Sequence, residues 1–167
     1  MKGQLAHLIT DEIIEACKDA RLVMVYGFAK SGKVILAKTL QERLNRKLYI
    51  SDDYIPFGYE DALYRMADDV KADLLKGDKV IVEGVQTSRL MRLGLQDETF
   101  IPQVIIKTVC NWYTIEQCYK DDGEEYKLKH VQTMNNNIEK IYTAFLWDVS
   151  MRDVQQPVIF ELNTSII

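Results

Sequence analysis

Arg21-Leu22-Val23-Met24-Val25-Tyr26-Gly27-Phe28-Ala29-Lys30-Ser31-Gly32-Lys33-Val34 is the stretch on which the reading of this chain turns. Leu22–Tyr26 is a short apolar run of the kind a buried parallel strand shows. It runs straight into Gly27-x4-Gly32-Lys33, the core of a phosphate-binding loop. In such a loop the backbone N–H groups, here those of Gly27 through Val34, wrap around a triphosphate. The helix that follows points its positive end at the ligand, and the lysine reaches the outer phosphates. Val34–Leu44 continues with a helical pattern, Leu36, Leu40 and Leu44 at fourfold spacing with Ala37 beside them. The glycines therefore sit between a strand and a helix, where the device requires them. An ordinary strand-to-helix turn is the bland alternative, and spacing and context together argue against it. One position departs from the full motif: Val34 stands where a Ser or Thr hydroxyl would hold Mg²⁺.

The chain has 167 residues, enough for one domain with a substantial core, and the expected organisation is a single domain over 1–167. A hydrophobic content of 47% with 28% charged residues suits a globular protein. The net charge of −4 argues against broad nucleic-acid coating, though not against a small local basic site. Cys17, Cys110 and Cys118 include no pair at metal-ligand spacing. Their odd count fits reduced thiols and a cytoplasmic location. Residues 1–20 carry Asp11, Glu12 and Glu15 and do not read as a signal peptide. No apolar stretch approaches the length of a membrane span, so no membrane partner is expected.

Further along, Thr10 can cap a helix over Asp11–Asp19. Lys47–Ser51 reads as a second strand, with a loop at Pro56 and Gly58. Glu60–Lys76 is helical by spacing and stops at Gly77. Val80-Ile81-Val82 is a third strand ending in Glu83-Gly84, followed by a short helix over Thr87–Leu95. Val104–Cys110 is a fourth strand, and Thr114–Tyr119 allows one or two helical turns. Lys120–Lys129 is polar and charged, and a lid over 120–130 is one reading of it. Val131, Met134, Ile138, Ile141 and Phe145 mark a long helix whose stripe reads as core, with a homodimer seam as the alternative. Val158–Leu162 is the last strand. Strands alternating with helices imply a parallel sheet covered on both faces. Ligands bind such sheets beyond the carboxyl ends of the strands. That rule gathers Gly27–Val34, Asp52-Asp53 and Glu83-Gly84 along one rim.

The polar groups on that rim suggest roles. Asp52 is the expected base toward an acceptor hydroxyl, and Asp53 the expected carboxylate toward Mg²⁺ through water. Both would be plain turn or solvent-facing residues on the bland reading. Glu83, at a strand end, would orient Mg²⁺-bound water or a substrate hydroxyl; otherwise it pairs with a lysine or an amide. Arg89 and Arg92 lie three apart on one helix face and would grip a phosphorylated acceptor or face water. Tyr54–Arg65 and Gly84–Arg92 would supply the acceptor pocket, Tyr54 included.

With these residues in place, the chain resembles the phosphate-loop kinases of small molecules and nucleic-acid ends. That group includes uridine and pantothenate kinases, zeta-toxin-like kinases and polynucleotide kinases. Gly27–Lys33 looks like their Walker A loop. Ser51-Asp52-Asp53-Tyr54 is similar to the segment that supplies the base, and by position Asp52 takes that role. Val80–Gly84 looks like the third strand of the uridine-kinase type, whose glutamate contacts Mg²⁺ or substrate. In this family arginines after that strand and in the lid bind phosphates. Arg89 and Arg92 could match the first set, whereas residues 120–140 contain no arginine. The resemblance implies a three-layer α/β P-loop NTPase fold with a five-stranded, mainly parallel sheet ordered 2-3-1-4-5 and helices on both faces. It places an adenine near Asn163-Thr164. The expected activity is ATP-dependent (or other NTP-dependent) phosphoryl transfer, with Mg²⁺, to a hydroxyl of a nucleoside, nucleotide or other small molecule. A nucleotide-binding regulatory module without catalysis is the alternative, favoured by Val34 and the arginine-free segment.

Overall fold

Leu22–Tyr26 forms strand β1, and all five of its side chains are buried. The computed structural model describes residues 2–165. In chain order the other elements are α1 (Lys2–Ala6), α2 (Asp11–Cys17), α3 (Lys33–Leu44), β2 (Lys47–Ile50), a 3-10 helix (Ser51–Phe57), α4 (Tyr59–Leu75) and β3 (Val80–Glu83). Then follow α5 (Thr87–Gln96), β4 (Val104–Val109), α6 (Trp112–Asp121), a 3-10 turn (Glu125–Lys127), α7 (Leu128–Ser150) and β5 (Val158–Asn163).

The five strands form one sheet in the order β2-β3-β1-β4-β5, and every neighbouring pair is parallel. Alternate residues of β1 supply two separate cores, as the strand period of two requires. Leu22, Met24 and Tyr26 pack with Met66, Leu90, Ile138 and Phe145 from α4, α5 and α7. Val23 and Val25 pack on the opposite face with Ile13, Leu36 and Leu40 from α2 and α3. Burying one such aliphatic side chain stabilises the fold by about 1.5–3 kcal/mol. The stripe on α7 is thus core, since Ile138 and Phe145 are fully buried against the sheet.

Two polar anchors fix the strand tips that bear the site. Tyr26 donates its hydroxyl to Glu139 Oε2 at 2.7 Å, Lys107 reaches Glu139 Oε1 at 2.8 Å, and the Tyr26 ring stacks on Tyr142 at 4.4 Å. These contacts tie the ends of β1 and β4 to α7. On the other side, buried Asp73 of α4 accepts from Tyr49 and lies 3.1 Å from Lys47 Nζ, which holds β2.

Several elements differ from the sequence expectation. Thr10 does cap α2, but that helix stops at Cys17. Residues 51–57 form a 3-10 helix, where Pro56 and Gly58 had pointed to a loop. The helix expected over Thr114–Tyr119 runs from Trp112 to Asp121, because Asn111 caps it by accepting the Thr114 N–H at 2.8 Å. Most of residues 120–129 is also ordered: α6 ends at Asp121, and a 3-10 turn leads into α7 at Leu128. The short helix α1 carried no recognisable sequence signal.

Gly27 is locked by packing. A Cβ there would lie 1.7 Å from Thr108 Oγ1. Gly27→Ala should therefore cost about 1–3 kcal/mol or more through overpacking. Thr108→Ala in the same background should recover part of it, less the Ser31–Thr108 hydrogen bond. Urea midpoints of the two variants check this; no recovery would mean that Gly27 is required for another reason.

Candidate active site

The loop after β1 closes on a single carbonyl. Phe28 O accepts from Ser31 N at 3.2 Å, from Ser31 Oγ at 2.6 Å and from Lys33 Nζ at 2.5 Å. The Phe28 ring anchors the loop from below by packing on Ile115, Tyr119 and Val131. Ser31 Oγ also meets Thr108 Oγ1 at 2.6 Å, which ties the loop to β4. Lys30 and Gly32 both have positive φ, 57° and 89°, and Gly32 is the residue that opens α3. Successive turns of this kind point N–H groups into one concavity. Among the described residues, no acceptor takes the N–H of Ala29, Lys30, Gly32 or Lys33. A free anion-binding nest thus lies at the start of a helix, where the dipole favours negative charge.

Lys33 is the first residue of α3 and is 5% exposed. Burial pushes its pKa down to about 8, while the carboxylates of Glu83 and Asp52 pull the other way. Glu83 is its counterpart. It ends β3 and is paired in register with Val25 on one side and Ile50 on the other. Burial pushes its pKa up to about 7; Asp52 and Asp53 add to the rise and Lys33 opposes it. Its Oε2 is buried with no hydrogen-bond partner among the described residues. An unpaired buried carboxylate oxygen is costly, and it marks a place where a ligand is wanted. Gly84 follows with φ of 142°, and a Cβ there would fall 1.7 Å from Ser51 Oγ. The missing side chain lets Ser51 pack against the end of β3. The Ser51 hydroxyl, also buried, likewise lacks a partner among the described residues.

Two cavities flank the loop, of about 630 and 600 Å³, and Lys30, Lys33 and Val34 line both. The first takes in Ser51, Asp52, Tyr54, Glu83 and Gln86. The second takes in Leu5 of α1, Cys118 of α6, and Thr164 and Ser165 after β5. Thr164 thus borders the cavity on the side where the adenine is expected. Ala29 lines the first cavity and Ser31 and Gly32 the second, whereas Gly27 and Phe28 line neither. Tyr54 donates its hydroxyl to Asp69 at 2.5 Å. The remaining expected residues fall outside. Asp53 is exposed and lines neither cavity among the described residues. Arg89 is half-buried on α5 and Arg92 is exposed; neither reaches a cavity wall. Sequence reading assigned no role to Ser51 or the α1 residues, whereas Gln86 falls in the Gly84–Arg92 stretch expected to supply the acceptor pocket. Ser51 had a signal available, as the residue immediately before Asp52 at a strand end.

The corner between α6 and α7 touches the loop directly. Lys30 pairs with Asp122 and, at 2.9 Å, with Glu124, and its ammonium lies 4.6 Å from the Tyr119 ring centre. Glu124 also holds Lys127. Desolvation alone would lower the Lys30 pKa, but the hydrogen bonds to Asp122 and Glu124 outweigh it and raise the value. The segment read as a lid or a solvated loop brings carboxylates to a loop lysine.

No protein-family profile and no curated protein matches the sequence. Solved structures do. An uncharacterized protein from Eubacterium ventriosum is similar over 86% of this chain and 89% of its own, with a TM-score of 0.53 and 12% identity. Shikimate kinase from Bacteroides thetaiotaomicron is similar over 85% of this chain and 86% of its own, with a TM-score of 0.52 and 14% identity. Strand order, loop and similarity agree. The fold is that of the P-loop NTPases, in its kinase-like form. At these identities the likeness establishes the fold alone. Among the described residues no helix is long and apolar enough to cross a membrane, and no cluster of three or more His, Cys, Asp or Glu residues could hold a metal by itself.

The Lys30 contacts generate a prediction. Partly exposed ion pairs contribute about 0–1 kcal/mol each, so Lys30→Met should change global stability little. It should free the corner locally, raising amide exchange across residues 122–127. Hydrogen-exchange mass spectrometry of the two proteins measures this; unchanged exchange there would show that packing of Tyr119 alone holds the corner.

Proposed function

We propose that the protein is an ATP-dependent kinase that phosphorylates a hydroxyl of a small molecule. The observation that carries this reading is the pair of cavities meeting at Lys33. One is bordered by the open N–H groups of the phosphate loop, the other by Asp52 and the unpaired Glu83 carboxylate. A hydrolase needs one ligand cavity and a water; a transferase needs room for two reactants on either side of the phosphates.

In this reading the triphosphate lies on the N–H groups of Ala29–Lys33. Lys33 leaves the Phe28 carbonyl to neutralise the outer phosphates, and its buried site strengthens that contact. Asp52 accepts the proton of the acceptor hydroxyl, and phosphoryl transfer follows by positioning and charge stabilisation. Glu83 fits Mg²⁺: its buried oxygen is unsatisfied, and Mg²⁺ usually takes only one or two carboxylates alongside waters and phosphates. Bound there, the ion would neutralise charge on the phosphate oxygens. Asp53 is expected to share this role from its sequence position, but it lines neither cavity among the described residues, so Glu83 is the carboxylate left to face the ion while Asp52 faces the acceptor. An alternative reading, a nucleotide-binding module without catalysis, draws on Val34. Its side chain is 40% exposed and lines both cavities, so an apolar group stands where a hydroxyl usually meets the metal.

Two outcomes test the proposal. ATP should bind, and Lys33→Ala should weaken binding by at least tenfold in calorimetric titration, because a charge-assisted contact is worth about 1.5–3 kcal/mol. Failure of folded wild-type protein to bind ATP would falsify the phosphate-loop reading. Asp52→Asn should leave ATP affinity nearly unchanged and lower phosphoryl transfer by about 10²–10⁴-fold, as loss of a general base does. Transfer from labelled ATP to a panel of hydroxyl acceptors reads this. ATP binding without transfer to any acceptor would favour the non-catalytic module.

A further inference from the structure

The cavity on the Asp52 side has a composition that selects its occupant. Its walls are apolar: Tyr54, Ile55, Leu63, Met66, Val85 and Met134. Its polar groups are Ser51, Asp52, Glu83 and Gln86. Two of these, Ser51 Oγ and Glu83 Oε2, belong to residues only 4% and 3% exposed and have no partner among the described residues. The cations on its wall are Lys30 and Lys33, both from the phosphate loop. Lys30 is already paired with Asp122 and Glu124, and Lys33 is the group that would meet the triphosphate. No arginine lines the cavity among the described residues, and Arg89 and Arg92 lie elsewhere on α5. At the mouth, Ile55 is 65% exposed, an apolar rim beside an apolar wall.

We infer that the phosphoryl acceptor is an uncharged or cationic hydroxylated molecule with an apolar ring-sized body, and that phosphate- or carboxylate-bearing acceptors are rejected. This rests on the kinase reading and narrows it. An acceptor that brings its own anion would set that charge beside Asp52, with Lys30 already paired, Lys33 and any Mg²⁺ on Glu83 engaged by the triphosphate, and Lys38 acting on Glu83 only from outside the cavity lining; like charges at short range in a partly dry site repel strongly. A cavity of about 630 Å³ is of the size that holds a drug-sized molecule. Apolar walls bind its body, and a few polar groups fix its orientation. Ser51 is the positioning residue for the second polar group of the acceptor, next to the hydroxyl that faces Asp52. In the transfer step the acceptor oxygen bonds to the γ-phosphorus, the bond from that phosphorus to the bridging oxygen breaks, ADP leaves, and the acceptor proton passes to Asp52.

The experiment compares matched pairs: uridine, cytidine, adenosine and thymidine against their 5′-monophosphates, and benzyl alcohol against 4-(hydroxymethyl)benzoate. Each is tested with the ATP-loaded full chain, binding by ligand-observed NMR and transfer from labelled ATP. The expected result is binding by at least one neutral member, with at least a tenfold preference over its anionic partner. Ser51→Ala should raise KM for that acceptor several-fold while leaving ATP affinity unaltered. Ile55→Arg, at an exposed position that tolerates substitution, should narrow the discrimination by supplying the missing cation. Anionic members bound as well as neutral ones, or ATP bound but no neutral member bound, would overturn the inference. Absence of ATP binding would instead overturn the kinase reading on which it stands.

Discussion

The buried ammonium of Lys33 is the constraint around which this structure is arranged. Taking an ammonium out of water costs several kcal/mol even after relaxation, and the lowered Lys33 pKa reports that cost. The fold offsets it with one strong contact and a field. The contact is the Phe28 carbonyl, which also gathers both donors of Ser31. The field comes from Glu83 and Asp52, which sit near Lys33 because β2, β3 and β1 run parallel with their ends in register. That alignment in turn requires Gly27 and Gly84 to lack side chains, since Thr108 and Ser51 occupy the space. The lysine thus explains why two glycines, two hydroxyls and two carboxylates from different segments stand where they do.

A lysine held this way is ready to move. Its partner in the present arrangement is a neutral carbonyl on its own loop, weaker than a phosphate oxygen as an acceptor for a cation. Four loop N–H groups lie beside it without acceptors among the described residues. Leaving a buried hydroxyl and a buried carboxylate oxygen unsatisfied, as at Ser51 and Glu83, is expensive, and folded proteins rarely do so away from a function. The two cavities gather different groups: Asp52 and the unpaired Glu83 oxygen border the first, while Ser31, Gly32 and the residues after β5 border the second, with Asp121 and Asp122 also on its wall.

Much of the architecture was legible because the apolar runs were unambiguous. Leu22–Tyr26 and Val80–Glu83 are buried on both faces, and such strands read as continuous hydrophobic stretches. The phosphate loop was legible because glycine spacing and lysine position are imposed by backbone geometry. Side-chain membership of the site was harder to read. Asp52 and Asp53 are adjacent in sequence, but the 3-10 helix that begins at Ser51 turns successive side chains in different directions, and only Asp52 stays on the cavity wall. Arg89 and Arg92 share a helix face as their spacing implied, yet α5 is packed so that this face misses the cavity, which is a tertiary fact. The helical content of residues 112–129 was hidden by charge: Asp121, Asp122, Glu124 and Glu125 look like a solvated loop until Lys30 is found to pair with two of them.

That pairing changes how the absent lid arginines are understood. A lid arginine would approach the phosphates from outside the loop. Here a cation of the loop itself, Lys30, already borders both cavities, and the corner supplies its counter-charge. Its left-handed backbone, uncommon for a residue with a side chain, aims the ammonium toward the corner. Two carboxylates on one lysine leave that group near neutral or net negative, so an arriving triphosphate meets Lys33 and the loop N–H groups before it meets any charge from the corner. An arginine-free corner is therefore compatible with nucleotide binding, because affinity rests on the loop. In the proposed kinase it would bear instead on rate, since the charge that develops on the transferred group would gain support from Lys30 only if Asp122 and Glu124 gave it up. Val34, in the same reading, would put an apolar group where a hydroxyl usually meets the metal while leaving the N–H nest intact. In the proposed kinase the Lys30 pairing would therefore tell on the chemical step, while Val34, on the wall of both cavities, would loosen Mg²⁺ and with it the Mg²⁺-dependent part of ATP binding.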